Sequence, residues 1–466
     1  MINTLFKFDY TLDEINIYFR NIYDFNIPQA SKLAFAKELI IDYKKFGMDV
    51  LKKISPDSII FLYDVKRKYL LIKSDAIGHF VIYYCQTAGR LCFSENLKAL
   101  ARINNYGIDR ESLAQYLILG YIPGERTIFK DIYKILPSSL FMYKKNLSTI
   151  RTYKQPSVKK CHSESFYING LKSRFLSIIE QYATKDLGVM ISGGVDSLIL
   201  LSLAKKIKKS VKTFVIGIEP YHGNLFKHCK EVAQYFDTNH REIKISDVSY
   251  FESFEESIQL MVEPTYDLYV GFLRNFLFRI NTDVRFLLHG SGADDLFCGE
   301  PRFLITHYKD LSKFNNKIKI AQSNKLNSII RTVFENRIPG KLALQNKLNQ
   351  NHYAKIVFPY LHNEIVQLAK SLPATLIVKN RQYKYILRKF AQGILPQRWA
   401  LKKKETTLIP DLYKKVIIDS YYNFVEKSNY LNEILNKKVI HFNKNSIKLK
   451  LIIFYLWHKK MVESKI

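Results

Sequence analysis

A chain of 466 residues with 47% apolar and 14% aromatic side chains can build two or three well-packed domains, and 18 glycines and 13 prolines exclude long disordered tracts. Its 72 basic against 42 acidic residues give +30, but the lysines are spread along the chain amid much Ile, Asn and Tyr, so the charge reads as compositional bias and a nucleic-acid partner is not expected. No stretch suits a membrane helix or a signal peptide, and the five scattered cysteines (Cys85, Cys92, Cys161, Cys229, Cys298) exclude a disulfide framework or zinc site and fit a reducing cytoplasm.

The first 50 or so residues carry two helical patterns, Asp13–Ile22 and Gln29–Phe46. Strands rich in β-branched and aromatic residues follow at Ser58–Tyr63, Tyr69–Lys73, His79–Cys85 and Leu91–Phe93, spaced as an antiparallel meander. Helices are predicted at Glu95–Arg102 and Arg110–Leu119, and a further strand at Ser138–Tyr143. The polar stretch Lys154–Ser165, with Pro156, reads as a linker, which divides the chain into residues 1–155 and 160–466.

Beyond the linker the pattern turns to alternating helix and strand. Helix Glu164–Gln181 precedes strand Leu187–Ile191; then come strand Val211–Ile218, helix Leu225–Phe236, strand Arg241–Ile245 and helix Tyr250–Met261. Such alternation predicts a doubly wound parallel sheet with its ligand beyond the strand C-termini. At one such end stands Ser192-Gly193-Gly194-Val195-Asp196-Ser197, ahead of a helix whose lysines gather at its C-terminal end. Two glycines free backbone N–H groups for an anion, two hydroxyls add donors, and the helix N-terminus adds partial positive charge. Asp196 suits phosphates only through a divalent cation, so it is read as a Mg²⁺ ligand. The plainer reading is a strand-to-helix turn in which Asp and Ser are caps.

Another strand end carries Phe286-Leu287-Leu288-His289-Gly290-Ser291-Gly292-Ala293-Asp294-Asp295-Leu296-Phe297-Cys298-Gly299, a strand running into a small-residue loop with paired carboxylates. Asp294 and Asp196 can then share one Mg²⁺ from two strand ends, although alone the loop reads as a capped turn. Helices are predicted at His362–Ser371, Arg381–Ile394, Leu412–Ser428 and Ser446–Val462.

The loop at 192–197 resembles the S-G-G-x-D-S pyrophosphate loop of ATP-pyrophosphatases, enzymes that cleave ATP to AMP and pyrophosphate while activating a carboxylate or carbonyl. The segments Asp75-Ala76-Ile77-Gly78, Ile82-Tyr83-Tyr84, Phe93–Leu100 and Ile132–Pro137 resemble the glutaminase half of class B asparagine synthetases. That resemblance implies an Ntn-hydrolase-like αββα domain. Its chemistry needs a cysteine at mature position one, where this sequence has Ile2 after Met1, so a scaffold without ammonia production is expected. The stretch Phe286–Gly299 resembles the family's S-G-E-G-A-D-E-L-F-G-G-Y, and Glu263–Asp267 its E-P-x-x-D. Ser291 replaces the family's Glu, Asp295 shortens the next one, and Glu300-Pro301 replaces its Tyr. Leu395–Glu405 resembles the segment bearing the family's catalytic lysine, which by position is Lys404, while Lys402 and Lys403 read as solvated neighbours. The resemblance thus implies an α/β chain that uses ATP and Mg²⁺. Ser192, Gly193, Gly194, Asp196, Ser197, Ile218 and Gly290 are its nucleotide residues, Asp196 and Asp294 its metal ligands, Lys404 is catalytic, and Asp295 a provisional base.

The altered acceptor loop, with Pro301 beyond it, and the stretch Phe358-Pro359-Tyr360-Leu361-His362 look most like lasso-peptide macrolactam synthetases. That branch implies ring closure between a precursor peptide's N-terminal amine and an Asp or Glu side chain, with a leader-peptide recognition and protease partner. A glutamine-independent asparagine synthetase and a β-lactam synthetase are the alternatives. The second would place a catalytic Tyr where Leu273 stands. A tRNA-modifying pyrophosphate-loop enzyme or a non-catalytic peptide-binding scaffold is further away.

Overall fold

The computed structural model describes residues 2–4, 10–12, 14–21, 29–87, 90–104, 106–144, 147–152, 162–183, 186–219, 221–280, 283–299, 325–349, 352–380, 382–402, 409, 411–435 and 444–463. The chain forms two compact units, one of residues 1–116, 121–156 and 335–344, the other of residues 117–120, 157–334 and 345–466. Most of the predicted linker 154–165, together with Glu300-Pro301 and residues 403–408, lies outside the described residues.

In the first unit β1 (Ile2–Thr4), β2 (Tyr10–Leu12), β3 (Ile15–Asn21), β4 (Ser58–Asp64), β5 (Tyr69–Lys73), β6 (Tyr83–Thr87), β7 (Arg90–Ser94), β8 (Ile132–Lys134), β9 (Ser139–Lys144) and β10 (Leu147–Thr152) make two sheets. One is antiparallel in the order β10-β9-β5-β4-β3-β2; the other runs β1-β7-β6-β8, with β1 parallel to β7. The nearly unbroken apolar runs of β4 and β5 have a simple cause: both faces of their sheet are covered. Ile60, Leu62 and Leu71 meet Leu39, Ile40 and Tyr43 of helix α1 (Gln29–Phe46), while Ile59, Phe61, Leu70 and Ile72 meet Leu91 and Phe93 of the second sheet. Helix α2 (Leu97–Asn104) lies against β6 and β7, completing the order helix, sheet, sheet, helix. The helix expected at Asp13–Ile22 is instead strand β3. Ile15 and Ile17 turn to α1's face and Tyr18 to the other, a period of two fixed by antiparallel pairing of Ile17 with Leu62. The strand expected from His79 starts at Tyr83, because Asp75 ties up the amides of residues 77–80.

After α3 (Arg110–Leu119), the second unit opens with α4 (Glu164–Glu180), capped by Ser163. Its sheet has β11 (Leu187–Met190), β12 (Lys212–Ile218), β13 (Asn239–Ile245), β14 (Phe286–Leu288) and β15 (Lys355–Val357), all parallel, in the order β13-β12-β11-β14-β15. Helices α5 (Val195–Ile207), α6 (Gly223–Tyr235), α7 (Asp247–Leu260) and α8 (Val270–Ile280) are interleaved with these strands, and the short α9 (Ala293–Phe297) follows β14. Strand order reverses between β11 and β14, the switch point where doubly wound sheets bind ligands. Both loops singled out in the sequence leave the sheet there. The helix expected at Arg381–Ile394 is shorter, Tyr385–Gln392, because Val378–Lys379 and Gln382–Tyr383 pair as a tight hairpin with Asn380 left-handed at φ 50°. Among the described residues no helix is long and apolar enough to cross a membrane.

Candidate active site at the sheet switch point

The loop between β11 and α5 is built by its glycines and its second serine. Gly193 sits at φ +70°, and a Cβ there would press on His228 at 2.9 Å, so geometry and space both demand glycine. Gly194 is the N-cap of α5 and brings no capping side chain, so the first amides of the helix are left to a ligand. Ser197 Oγ closes the loop from within, accepting from the Ser192 amide at 3.2 Å and donating to the Gly194 carbonyl at 3.0 Å, with Ser192 Oγ 3.4 Å away.

The second loop packs on the first. Gly290 lies where a Cβ would touch Asp196 Cβ and the Ser197 amide, each at 3.5 Å. Gly292, at φ +93°, has no room for a side chain because Leu361 covers it. The same turn, Pro359–Leu361, carries the fully buried Tyr360, whose hydroxyl donates to the Asp196 carbonyl at 3.1 Å. Burial, with Asp196 and Asp294 adding to it, raises the Tyr360 hydroxyl well above its usual pKa, so it remains a donor.

Asp196 and Asp294 converge on one cation, the ammonium of Lys384. It contacts Asp196 Oδ2 directly and Asp294 Oδ1 at 2.6 Å. The lysine side chain is 5% exposed, against 16% and 28% for the two carboxylates. Lys384 adopts φ 56° between the hairpin and its helix, which aims it at the strand ends. Gly299 makes room: a Cβ there would fall on Asp294 Oδ1 and Lys384 Cε. Burial pushes the neighbouring Cys298 thiol up to about 12, Asp294 reinforcing it and Lys384 opposing it.

This donor set fits Mg²⁺, which is usually held by one or two carboxylates with phosphate oxygens completing the shell. Among the described residues no cluster of three His, Cys, Asp or Glu side chains makes a closed metal cage, so phosphate oxygens are needed.

Of the residues predicted from sequence, Ser192, Gly193, Gly194, Asp196, Ser197, Gly290 and Asp294 come together here. Asp295 is buried in the same turn, but it is Asp294 that meets Lys384. Ile218 ends β12 fully buried, with both main-chain groups engaged by His222: its amide donates to Nδ1 at 2.9 Å and its carbonyl accepts from the His222 amide at 3.0 Å. Lys404 lies outside the described residues. The chain leading to it is fixed by Arg388, one turn beyond Lys384, which donates to the carbonyls of Ala400 at 3.1 Å and Lys402 at 2.9 Å. Lys384 itself escaped sequence reasoning. Its only signal was Asn380, a turn former inside an apparent helix.

The Gly-Ala-Asp loop begins among aromatic rings. His289 lies 6.1 Å from Tyr269 and 5.8 Å from Phe358, ring centre to ring centre, and its Nδ1 accepts from the Ser291 amide at 3.1 Å.

The asparagine synthase family model matches residues 180–429, and a glutamine amidotransferase domain model matches residues 36–154. The chain is 21% identical to asparagine synthetase (glutamine-hydrolyzing) 1 of Bacillus subtilis (strain 168), an alignment covering 92% of this chain and 81% of that protein. It is 23% identical to the putative asparagine synthetase (glutamine-hydrolyzing) 2 of Methanocaldococcus jannaschii, over 86% of this chain and 72% of its relative. A solved structure, the U34-tRNA thiolase NcsA from Methanococcus maripaludis, aligns with 50% of this chain and 73% of its own at 13% identity and TM-score 0.25, too slight a likeness to weigh. One family model spans more than half of the sequence, and it spans the pyrophosphate-loop sheet. The chain belongs to the asparagine synthase family, ATP-dependent ligases that form C–N bonds and release AMP and pyrophosphate.

Proposed function

We propose that this chain closes a macrolactam ring, joining a precursor peptide's N-terminal amine to one of its own Asp or Glu side chains. The observation that carries this reading is an asymmetry. The nucleotide side keeps the glycine loop and both carboxylates, whereas the acceptor loop has Ser291 for the family's Glu and opens with His289, whose ring lies against Tyr269 and Phe358. Free aspartate presents an ammonium and a second carboxylate; the family's Glu, a charged partner for that ammonium, is replaced by Ser291, and aromatic rings beside the loop suit a peptide. Of the cysteines in the first unit, Cys85 and Cys92 are both buried, and burial raises the Cys85 thiol, so neither is an activated nucleophile.

In this mechanism a carboxylate oxygen of the peptide attacks the ATP α-phosphorus, and the bond to the β-phosphate oxygen breaks. Amides at Gly193, Gly194 and the start of α5, with the Ser192 hydroxyl, hold the departing pyrophosphate. Asp196 and Asp294 would hold the Mg²⁺, which when bound would supply charge neutralisation for that leaving group. Lys404 stabilises the charge developing at the α-phosphate. The neutral peptide amine then attacks the acyl carbon, the bond to AMP breaks, the nitrogen gives up one proton to solvent, and the amide remains. A tethered amine replaces ammonia, so the amidotransferase-like unit need not supply it, and the protein's task becomes holding the peptide prefolded. This reading also brings a leader-peptide recognition and protease partner.

The test is pyrophosphate release by the purified chain, with mass analysis of a coexpressed precursor peptide. Expected are ATP turnover that depends on the peptide, and a product lighter by one water. Lys404→Ala should abolish it, while Lys402→Ala and Lys403→Ala should be nearly silent. The relatives' names favour a second reading, amidation of aspartate; asparagine appearing from aspartate and ammonia would replace our reading with that one.

A further inference from the structure

We infer that Lys384 is an internal rival of the divalent cation, so that metal binds strongly only together with the triphosphate. The inference rests on Asp196 and Asp294 being the metal's ligands. Its own basis is the lysine's placement. A Mg²⁺ ion takes carboxylate oxygens at about 2.0–2.1 Å, and the Lys384 ammonium already contacts Asp196 Oδ2 and lies 2.6 Å from Asp294 Oδ1. Two cations cannot both take those carboxylate oxygens at contact distance without repulsion, only in part screened where the carboxylates meet solvent.

The placement is built into the fold. Lys384 sits at a left-handed φ of 56°, a conformation that disfavours L side chains, and the hairpin at 378–383 and the helix at 385–392 hold it there. Its stem is buried, and Gly299 leaves just enough space for Lys384 Cε beside Asp294. The carboxylate pair is therefore held at a cation-binding spacing by a charge that metal must displace. Metal alone brings nothing to receive the displaced ammonium. A triphosphate does, since its oxygens accept the lysine and also complete the metal's shell. Metal and nucleotide are then coupled through one side chain, and the coupling is reciprocal. Such a device prevents the metal from seating without its substrate.

Binding of Mn²⁺ to the full chain, read as loss of the free-ion paramagnetic signal, tests this without turnover. Titrations are run with and without α,β-methylene ATP for the wild type, Lys384→Met, Lys384→Gln, Lys384→Arg and Asp196→Asn. Expected is weak Mn²⁺ binding by the wild type alone, tightened about tenfold or more by the analogue. Lys384→Met and Lys384→Gln should bind Mn²⁺ alone about tenfold more tightly than the wild type and lose most of the analogue's effect, whereas Lys384→Arg should stay close to wild type. The Gln variant keeps a polar group of similar reach if Met impairs folding. Neutral variants that bind Mn²⁺ alone no better than the wild type would overturn the inference. Undiminished Mn²⁺ binding by Asp196→Asn with the analogue would overturn the metal assignment instead, a distinguishable failure.

Discussion

Both units bury charge, and they dispose of it in opposite ways. In the first, Asp75 is 1% exposed and accepts the amides of Ile77, Gly78, His79 and Phe80 at 2.6–3.1 Å. Burial would raise its carboxyl, but the hydrogen bonds from His79 and the backbone outweigh that and hold it below the usual range. Lys73 likewise donates to the carbonyls of Ser55 at 2.9 Å and Ser58 at 3.1 Å, and burial pushes it down to about 8. These charges are answered mainly by the local backbone, with His79 beside Asp75 and Asp75 and Asp57 near Lys73. In the second unit Asp196, Asp294 and Lys384 answer one another at strand ends, with the carboxylates partly open to solvent. A buried charge alone therefore does not mark a site; charges whose partners are other charges at a ligand's expected position do.

The largest expected effect lies at the second set. Asp196→Asn and Asp294→Asn should each lower pyrophosphate release on the order of 10²-fold or more, several kcal/mol of leaving-group stabilisation, with melting temperature little changed. Retained turnover with a collapsed melting temperature would make this cluster equivalent to the first. Asp75→Ala should do the reverse, removing on the order of 3 kcal/mol from the first unit because four amides lose their acceptor. Hydrogen exchange at residues 76–80 reports it, and unaltered exchange would contradict the role given to Asp75. Gly299→Ala should reduce turnover about tenfold to a hundredfold (roughly 1.4–2.7 kcal/mol) by displacing Asp294 and Lys384, and unaltered kinetics would show that the approach at Gly299 is immaterial.

The smallest effect is a pH dependence. The folded pKa of Lys73, about 8, lies below the usual 10.5, so between those values the unfolded chain holds more protons and stability rises with pH. The burden is complete below about pH 8 and relieved by about pH 10.5; between pH 7 and 9 it changes by about 1 kcal/mol. Lys73→Met should flatten this rise in denaturation midpoints without abolishing it, because burial also lowers Lys98 to about 8. An unchanged slope would mean that Lys73 is hydrated in the folded chain.

The parallel sheet and its two loops were legible because their chemistry is local: glycine, hydroxyl and carboxylate stand within six residues, at Ser192–Ser197, after a short apolar run. Sheet order was legible only as a class, and the switch point emerged with the pairing of β11 and β14. Strand β3 was misread as a helix because its short apolar pattern fits either period and antiparallel pairing with β4 decides it. Lys384 was illegible for a different reason. It reaches Asp196 from 188 residues away through a left-handed residue inside a helix-like pattern, and the one local signal, the turn former Asn380, says where the helix breaks but not what the lysine meets.

The interleaving of the chain bears on which pieces can be inherited separately. Residues 335–344 belong with the first unit, where Asn336 accepts the Gly124 amide at 2.7 Å and Pro339 crowds Gly78. Residues 117–120 belong with the second, where Gly120 accepts the Tyr266 amide at 2.7 Å and Lys450 donates to the carbonyls of Leu117 and Ile118. A gene shortened at the linker would orphan both stretches, stripping a buried lysine of its acceptors. Whatever the leading half does, the interleaving leaves no clean place to cut the two units apart, and each is inherited with a piece of chain that belongs to its neighbour.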